Sequence, residues 1–185
     1  NVGAITPAEG VNLYSLLRKL KPDLAVETGV CNGVSTAFIL LALHENGKGR
    51  LYSIDLPEVA GRHYEEGTFW LGKGGAVIPE GEEPGWMIPP YLKDRWELIL
   101  GKSQDELPPL LARLGSIDFF LHDSEHSYEC MWFEYNEAYR VLRVGGVLMS
   151  DDIIWNGAFQ RFARERGEAI TRIGPGLGFI VKGTA

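Results

Sequence analysis

Cysteine is nearly absent: Cys31 and Cys130 are the only two in 185 residues. Two thiols cannot build a disulfide framework, and each sits in a segment that reads as a reduced core or site edge, so the expected location is the cytoplasm. A basic cluster is missing too. Eighteen lysines and arginines against 25 acidic residues leave a formal charge of -7. That balance repels a phosphate backbone and sets nucleic acid aside as a partner. The longest apolar run, Ala37 to Leu43, falls far short of a membrane span, so no membrane partner is expected. With only four histidines, a zinc site of nitrogen and sulfur ligands is disfavoured. There is no internal repeat.

What is there is ordinary for a globular protein: 45% apolar and 23% charged residues, in a chain long enough for one full core. A single domain spanning 1–185 is expected. A capping-type Thr6-Pro7 precedes a first helix through Val11, Leu13, Leu16, Leu17 and Leu20, which stops before Pro22. The pattern then alternates. Strands are predicted at Leu24 to Thr28, Arg50 to Asp55, Trp96 to Leu100, Ile117 to Asp123 and Gly146 to Asp152. Helices are predicted at Ser35 to His44 and at Leu107 to Leu114, the latter interrupted early by Pro108-Pro109. Met131, Trp132, Tyr135, Ala138 and Leu142 make an apolar stripe on another, and Phe159, Phe162 and Ala163 suggest one more. Ala169 to Ile173 and Leu177 to Val181 read as a final strand pair. This is an α/β chain with a parallel-rich sheet. Residues 56–93 break the pattern, being rich in glycine and proline but carrying Phe69, Trp70 and Trp86. They read either as a lid or specificity loop, or as a surface excursion packed on its own aromatics.

Three features carry chemistry. The turn Glu27-Thr28-Gly29-Val30-Cys31-Asn32-Gly33-Val34-Ser35-Thr36 joins a strand to a helix, and its glycines allow close backbone approach to a ligand at a helix N-terminus. Its Gly-x-x-x-Gly spacing is not the dinucleotide pattern, which ranks NAD lower. Asp55 ends the next strand, where a carboxylate can accept hydrogen bonds from ribose hydroxyls. Asp123, Asp151 and Asp152 end two strands joined by one helix, so a parallel crossover brings all three to one sheet edge. Three oxygen donors suit a Mg²⁺-type cation. Any one of them also serves as a helix cap, Asp123 for the helix near Ser127 and the pair for one near Trp155. His126 stands beside them as a candidate proton acceptor or a solvated first-turn residue, whereas His122, within a strand, reads as a packed core histidine.

Those motifs, with Gly101-Lys102-Ser103-Gln104-Asp105 and Gly145-Gly146, resemble in order and placement the class I S-adenosylmethionine-dependent methyltransferases, over roughly residues 24–155. The nearest group is the cation-dependent small-molecule O-methyltransferases of the catechol O-methyltransferase type, with their bacterial antibiotic-pathway relatives. The resemblance implies a Rossmann-like three-layer sandwich, with a mostly parallel central sheet and a final antiparallel hairpin strand. It assigns Glu27, Gly29, Gly33, Ser35 and Thr36 to the amino-acid end of the cofactor, Asp55 to its ribose, and Ser103 and Gln104 to its adenine edge. Asp123, Asp151 and Asp152 would ligate the cation, with Asp123 also bordering the cofactor and the reacting atoms. His126 stands where animal catechol enzymes have a lysine base, and Asp152 where they have asparagine.

The implied reaction is methylation of a phenolic, catechol-like or sugar hydroxyl of a small molecule. Two other readings share the motifs: a metal-independent N- or O-methyltransferase, and a non-catalytic S-adenosylmethionine-binding domain. Exposed apolar residues in the first helix or the insertion allow a homo-oligomer contact.

Overall fold

The computed structural model describes residues 5–71, 75 and 77–184. In chain order the elements begin with α1 (Pro7–Leu20), β1 (Leu24–Thr28), α2 (Val34–Asn46), β2 (Arg50–Asp55), β3 (Glu58–Val59) and β4 (Val77–Ile78). A 3₁₀ turn at Pro90–Arg95 leads into β5 (Trp96–Leu100), α3 (Ser103–Leu114), β6 (Ile117–His122) and α4 (Tyr128–Val141). The chain closes with β7 (Leu142–Ser150), α5 (Ala158–Arg166), β8 (Thr171–Arg172) and β9 (Gly178–Val181).

Seven strands form one sheet in the order β5-β2-β1-β6-β7-β9-β8, parallel from β5 to β7 and antiparallel through β9 and β8. Period-two alternation sends Ala25, Phe119, Leu121, Val147 and Met149 to one face, against Leu13 and Leu17 of α1 and Ile39, Leu40 and Leu43 of α2. Their neighbours Val26, Phe120 and Leu148 point to the other, against Leu107 and Leu111 of α3, Met131 and Tyr135 of α4, and Phe159 and Phe162 of α5. The result is a three-layer sandwich. Because β1 is followed on one side by β2 and flanked on the other by β6, the strand order reverses at β1, which opens a crevice at the strand C-termini.

Local chemistry fixes the ends of these elements. Thr6 and Glu9 form a reciprocal capping box at α1, and Lys21 closes that helix in a left-handed conformation. The start of β1 is pinned by Asp118, whose Oδ2 accepts from the Asp23 and Leu24 N–H groups at 2.8 Å each, while its other oxygen pairs with Arg143. Hydrogen bonds to a charged acceptor of this kind contribute about 1.5–3 kcal/mol each.

Three expectations are corrected. Helix α3 begins at Ser103 rather than Leu107 and runs through Pro108 and Pro109. The two carbonyls that lose their partners belong to exposed Gln104 and Asp105, where water can serve them, while Leu107, Leu110 and Leu111 anchor the buried face. Strand β7 starts at Leu142, directly at the end of α4, rather than at Gly146. The strand expected at Ala169 to Ile173 shrinks to the two exposed residues of β8. No helix among the described residues is long and apolar enough to cross a membrane.

In the irregular stretch after β2, β3 and β4 pair with each other rather than with the main sheet. Its C-terminal part is docked on the glycine turn. Gly85 N–H donates to the Cys31 carbonyl at 2.8 Å, Met87 N–H to the Asn32 carbonyl at 3.2 Å, and the Trp86 indole to Asn32 Oδ1 at 2.6 Å.

Candidate functional site

The crevice at the C-terminal ends of β1, β2, β6 and β7 collects the candidate residues. Gly29, the first residue beyond β1, has φ +85° and lies so close to the neighbouring strand end that a Cβ there would sit 1.9 Å from the Asp123 carbonyl oxygen. Only glycine permits that approach. Gly33 caps α2 at φ +90°, and a Cβ on it would meet Gly85 and Ile88 of the insertion, both at 2.8 Å. Gly33 therefore serves as the seat for the insertion.

Glu27, Ser35 and Thr36 lie beneath the turn. The wholly buried Glu27 carboxylate accepts from Ser35 at 2.7 Å, Thr36 at 2.8 Å and Ser53 at 2.9 Å. Burial outweighs those bonds and raises its pKa to about 7. Glu27, Ser35 and Thr36 are thus bonded to one another and brace the turn from below. Ser103 and Gln104 face Cys130, at 3.8 and 3.4 Å from its sulfur.

Asp55 is buried at the end of β2. Its Oδ1 accepts from Val30 N–H at 3.1 Å, while Oδ2 is buried with no partner. Burial lifts its pKa to about 6 against the backbone hydrogen bonds from Val30 and Cys31. Asp55 holds the Val30 N–H while the preceding Gly29 abuts the Asp123 backbone, so the ribose candidate and the acidic cluster adjoin.

Asp123, His126 and Asp151 each offer a ligand atom, and the three atoms lie within 4.8 Å of one another. None of the three aspartates caps a helix: Ser127 caps α4, and α5 starts only at Ala158, whose N–H is taken by Asn156. Burial, then the charges of Asp151 and Glu27, push the Asp123 carboxyl well above the usual range. Burial raises Asp151 to about 6. Asp152, at φ 47°, borders this trio, with its Oδ2 3.4 Å from His126 Nε2. The acidic pair is propped from behind by the turn at Gly176, whose carbonyl accepts from Ile153 N–H and whose own N–H donates to Glu9 at 3.2 Å.

His126 is held from several sides. Its Nδ1 lies 3.3 Å from His122 Nε2, its carbonyl accepts from Asn156 at 3.0 Å, and its ring tilts against Trp155 at 6.4 Å. Burial and the neighbouring His122 lower its pKa to about 4. Behind it, His122 Nδ1 lies 2.6 Å from Glu134, both side chains fully buried. Burial alone would raise Glu134, but His122 with the Ser103 and Thr28 hydroxyls hold it at about 2. Glu134 was not singled out from the sequence. The signal was there: it sits three residues after Met131 and four before Ala138, a carboxyl inside an apolar stripe.

The raised carboxyls make stability depend on pH. Each binds its proton more tightly folded than unfolded, so stability falls as pH rises from the unfolded to the folded value. The window runs from 3.8 to about 6 for Asp55 and Asp151, and from 4.5 to about 7 for Glu27. His126 acts oppositely, losing stability as pH falls from 6.5 towards about 4, and Glu134 does so only below 4.5. The carboxyls outnumber the histidine. The ligand-free protein is therefore expected to melt roughly 5 °C higher at about pH 5.5 than at about pH 7.5 by scanning calorimetry. A melting temperature that falls on acidification would show that the carboxyls are not constrained.

Against known proteins, the methyltransferase-domain family matches residues 26–153. The chain is 24% identical over 170 residues to the flavonoid 3',5'-methyltransferase of Vitis vinifera, covering 90% of this chain and 62% of that protein. It is 24% identical over 155 residues to the caffeoyl-CoA O-methyltransferase of Stellaria longipes, covering 82% and 55%. The chain thus spans between 55% and 62% of the length of the curated relatives it matches. In fold it resembles the O-methyltransferase NovP, with a TM-score of 0.71 at 17% identity over 100% of this chain and 84% of that one.

Proposed function

Since the chain belongs to the methyltransferase-domain family and every site residue from Glu27 to Asp152 lies within the matched region, we propose that it is an S-adenosylmethionine-dependent O-methyltransferase. In this reading it methylates a hydroxyl of a small molecule with the help of a divalent cation, most simply Mg²⁺. One observation carries it: two complementary sockets adjoin on one sheet edge, the unpartnered Asp55 Oδ2 and the cluster of Asp123, His126 and Asp151.

The first socket fits the cofactor. S-adenosylmethionine, when bound, supplies a methyl group activated by its sulfonium. Asp55 Oδ2 accepts from a ribose hydroxyl, and the free N–H groups at the start of α2 favour its carboxylate. The negative potential of Asp123 and Asp151 favours a cationic ligand beside them.

The second socket fits a hard cation, because two of its three donors, Asp123 and Asp151, are carboxylates whose pKa is raised first by burial and then by neighbouring carboxylates, a condition that a bound positive charge relieves. Asp123 and Asp151 would hold it, with Asp152 as the third carboxylate. Such an ion supplies charge that makes a nearby hydroxyl more acidic. His126 Nε2 faces the same space and takes the hydroxyl proton. Trp155, 70% exposed beside His126, and Trp86 on the glycine turn offer flat apolar surfaces. Together with relatives named for flavonoid and caffeoyl-CoA substrates, they favour a phenolic or catechol-like acceptor over a sugar hydroxyl. The 56–93 segment, whose residues 85–87 dock on the turn, would act as lid or specificity loop.

Calorimetric titration with S-adenosylhomocysteine, with and without Mg²⁺, tests the reading. Micromolar binding by the wild type and a separate Mg²⁺ heat that disappears in Asp151→Ala are expected. Absence of S-adenosylhomocysteine binding under every condition would remove the methyltransferase reading.

A further inference from the structure

Residues 85–88 of the insertion are fastened to two consecutive residues of the glycine turn. Gly85 N–H donates to the Cys31 carbonyl at 2.8 Å, Met87 N–H to the Asn32 carbonyl at 3.2 Å, and the Trp86 indole to Asn32 Oδ1 at 2.6 Å. Ile88 is the buried peg of this clasp: with the Gly85 backbone it fills the space that a Cβ on Gly33 would need. Beneath Gly85 lies the Trp96 ring, 2.5 Å from where a Cβ would stand. The Trp96 indole donates to Ser53 Oγ at 2.9 Å, and that hydroxyl donates to Glu27. Clasp and turn therefore rest on one floor.

The clasp leaves its two largest flanking side chains open, Trp86 at 41% and Met87 at 44% exposure. Trp86 is nevertheless fixed through its N–H, and Asn32 gives up a common role to fix it. An asparagine at a helix start ordinarily serves as a cap, yet α2 begins at Gly33 with no side-chain cap while the Asn32 oxygen turns to the indole. The ring also adjoins the chemistry, since Asn32 lies three residues beyond Gly29, which packs on the Asp123 backbone. A rigid aromatic face with few rotamers to lose binds a flat ring at low entropic cost.

We propose that Trp86 is a specificity-determining residue, a wall of the acceptor site that selects a flat aromatic ring, and that Asn32 is the positioning residue that holds it there. The inference deepens the reading of the insertion as a specificity loop and rests on that reading. Because the ring hangs on the turn that Asp55 holds through Val30 N–H at 3.1 Å, cofactor seat and acceptor wall keep one geometry.

Two substitutions remove the same hydrogen bond from opposite ends. Asn32→Leu keeps the size of the side chain without an acceptor, and Trp86→Phe keeps a ring without a donor. With Mg²⁺ and saturating S-adenosylmethionine, each should raise KM for catechol roughly tenfold, with kcat and the S-adenosylhomocysteine Kd within about twofold of wild type. The double variant should be no worse than either single one, because a shared bond is lost only once. Trp86→Ala, which removes the ring itself, should raise that KM further. A merely structural clasp would lower the melting temperature and weaken S-adenosylhomocysteine binding as much as catechol binding. That result, an unchanged KM, or single effects that multiply in the double variant would overturn the proposal.

The wild type decides where a variant fails to fold. Its Trp86 indole ¹H–¹⁵N resonance should shift when catechol is added to protein loaded with S-adenosylhomocysteine and Mg²⁺. If S-adenosylhomocysteine binds but that resonance stays in place, the methyltransferase reading stands and the role of Trp86 falls. If S-adenosylhomocysteine does not bind at all, both fall together.

Discussion

Gly29→Ala is expected to leave a protein that neither binds S-adenosylmethionine nor transfers a methyl group, and that melts roughly 10 °C lower than wild type. Two costs combine. At φ +85° an alanine pays the left-handed penalty of about 1–2 kcal/mol. Its Cβ also falls 1.9 Å from the Asp123 carbonyl oxygen and 2.5 Å from the carbonyl carbon, both backbone atoms that cannot swing aside. Gly29 N–H is bonded to the Ile54 carbonyl and Asp123 N–H to the Thr28 carbonyl, so parting these segments breaks the ladder that registers β1 against both neighbours. Movement at Asp123 carries the acidic cluster with it.

The control is Gly47→Ala. Gly47 also has positive φ, +68°, but a Cβ there meets nothing within 4 Å. It should lose only the conformational part, about 1–2 kcal/mol, or roughly 2–8 °C, with activity retained. Equal losses in the two variants, measured by thermal melting and S-adenosylhomocysteine titration, would show that the contact with Asp123 is not what matters.

His126→Ala is expected to lower kcat by roughly 10²- to 10⁴-fold, the range that a positioned proton acceptor contributes. Binding of S-adenosylhomocysteine should be unchanged, because the orphan oxygen of Asp55 and the α2 N-terminus lie on the other strands of the crevice. Burial and His122 hold the His126 pKa at about 4, so the nitrogen is unprotonated throughout the neutral range. The rate attributable to it should therefore fall only as pH drops towards that value, and this acid limb should vanish in the variant. A kcat for His126→Ala within about twofold of wild type would reassign proton removal to one of the carboxylates.

Much of this organisation is written locally. Period-two alternation at Ala25-Val26, Phe119-Phe120-Leu121 and Val147-Leu148-Met149 settles which side chains face which helical layer. The Gly29 and Gly33 turn lies directly between a strand and a helix, as its composition required. Asp55, Asp123 and Asp151 stand at or just beyond strand ends, because a parallel crossover leaves no other edge for them. Helix α3 shows the limit of a local rule: paired prolines that end a helix in isolation are tolerated where Leu107, Leu110 and Leu111 bury one side and the orphaned carbonyls face water.

The sequence by itself determined the strand and helix faces and the strand-end position of the acidic groups, because each depends on residues within a turn or two of one another, and the order of the motifs along the chain marked the family. Only the tertiary structure decided which of these groups meet. Asp123 and Asp151 gather with His126, Asp152 meets the same ring at Nε2, Glu27 closes on three hydroxyls, and Glu134 reaches through His122 towards His126. Those pairings span elements joined only by packing, and a buried carboxyl takes whichever donors packing brings near, since leaving it unsatisfied costs more than any local preference.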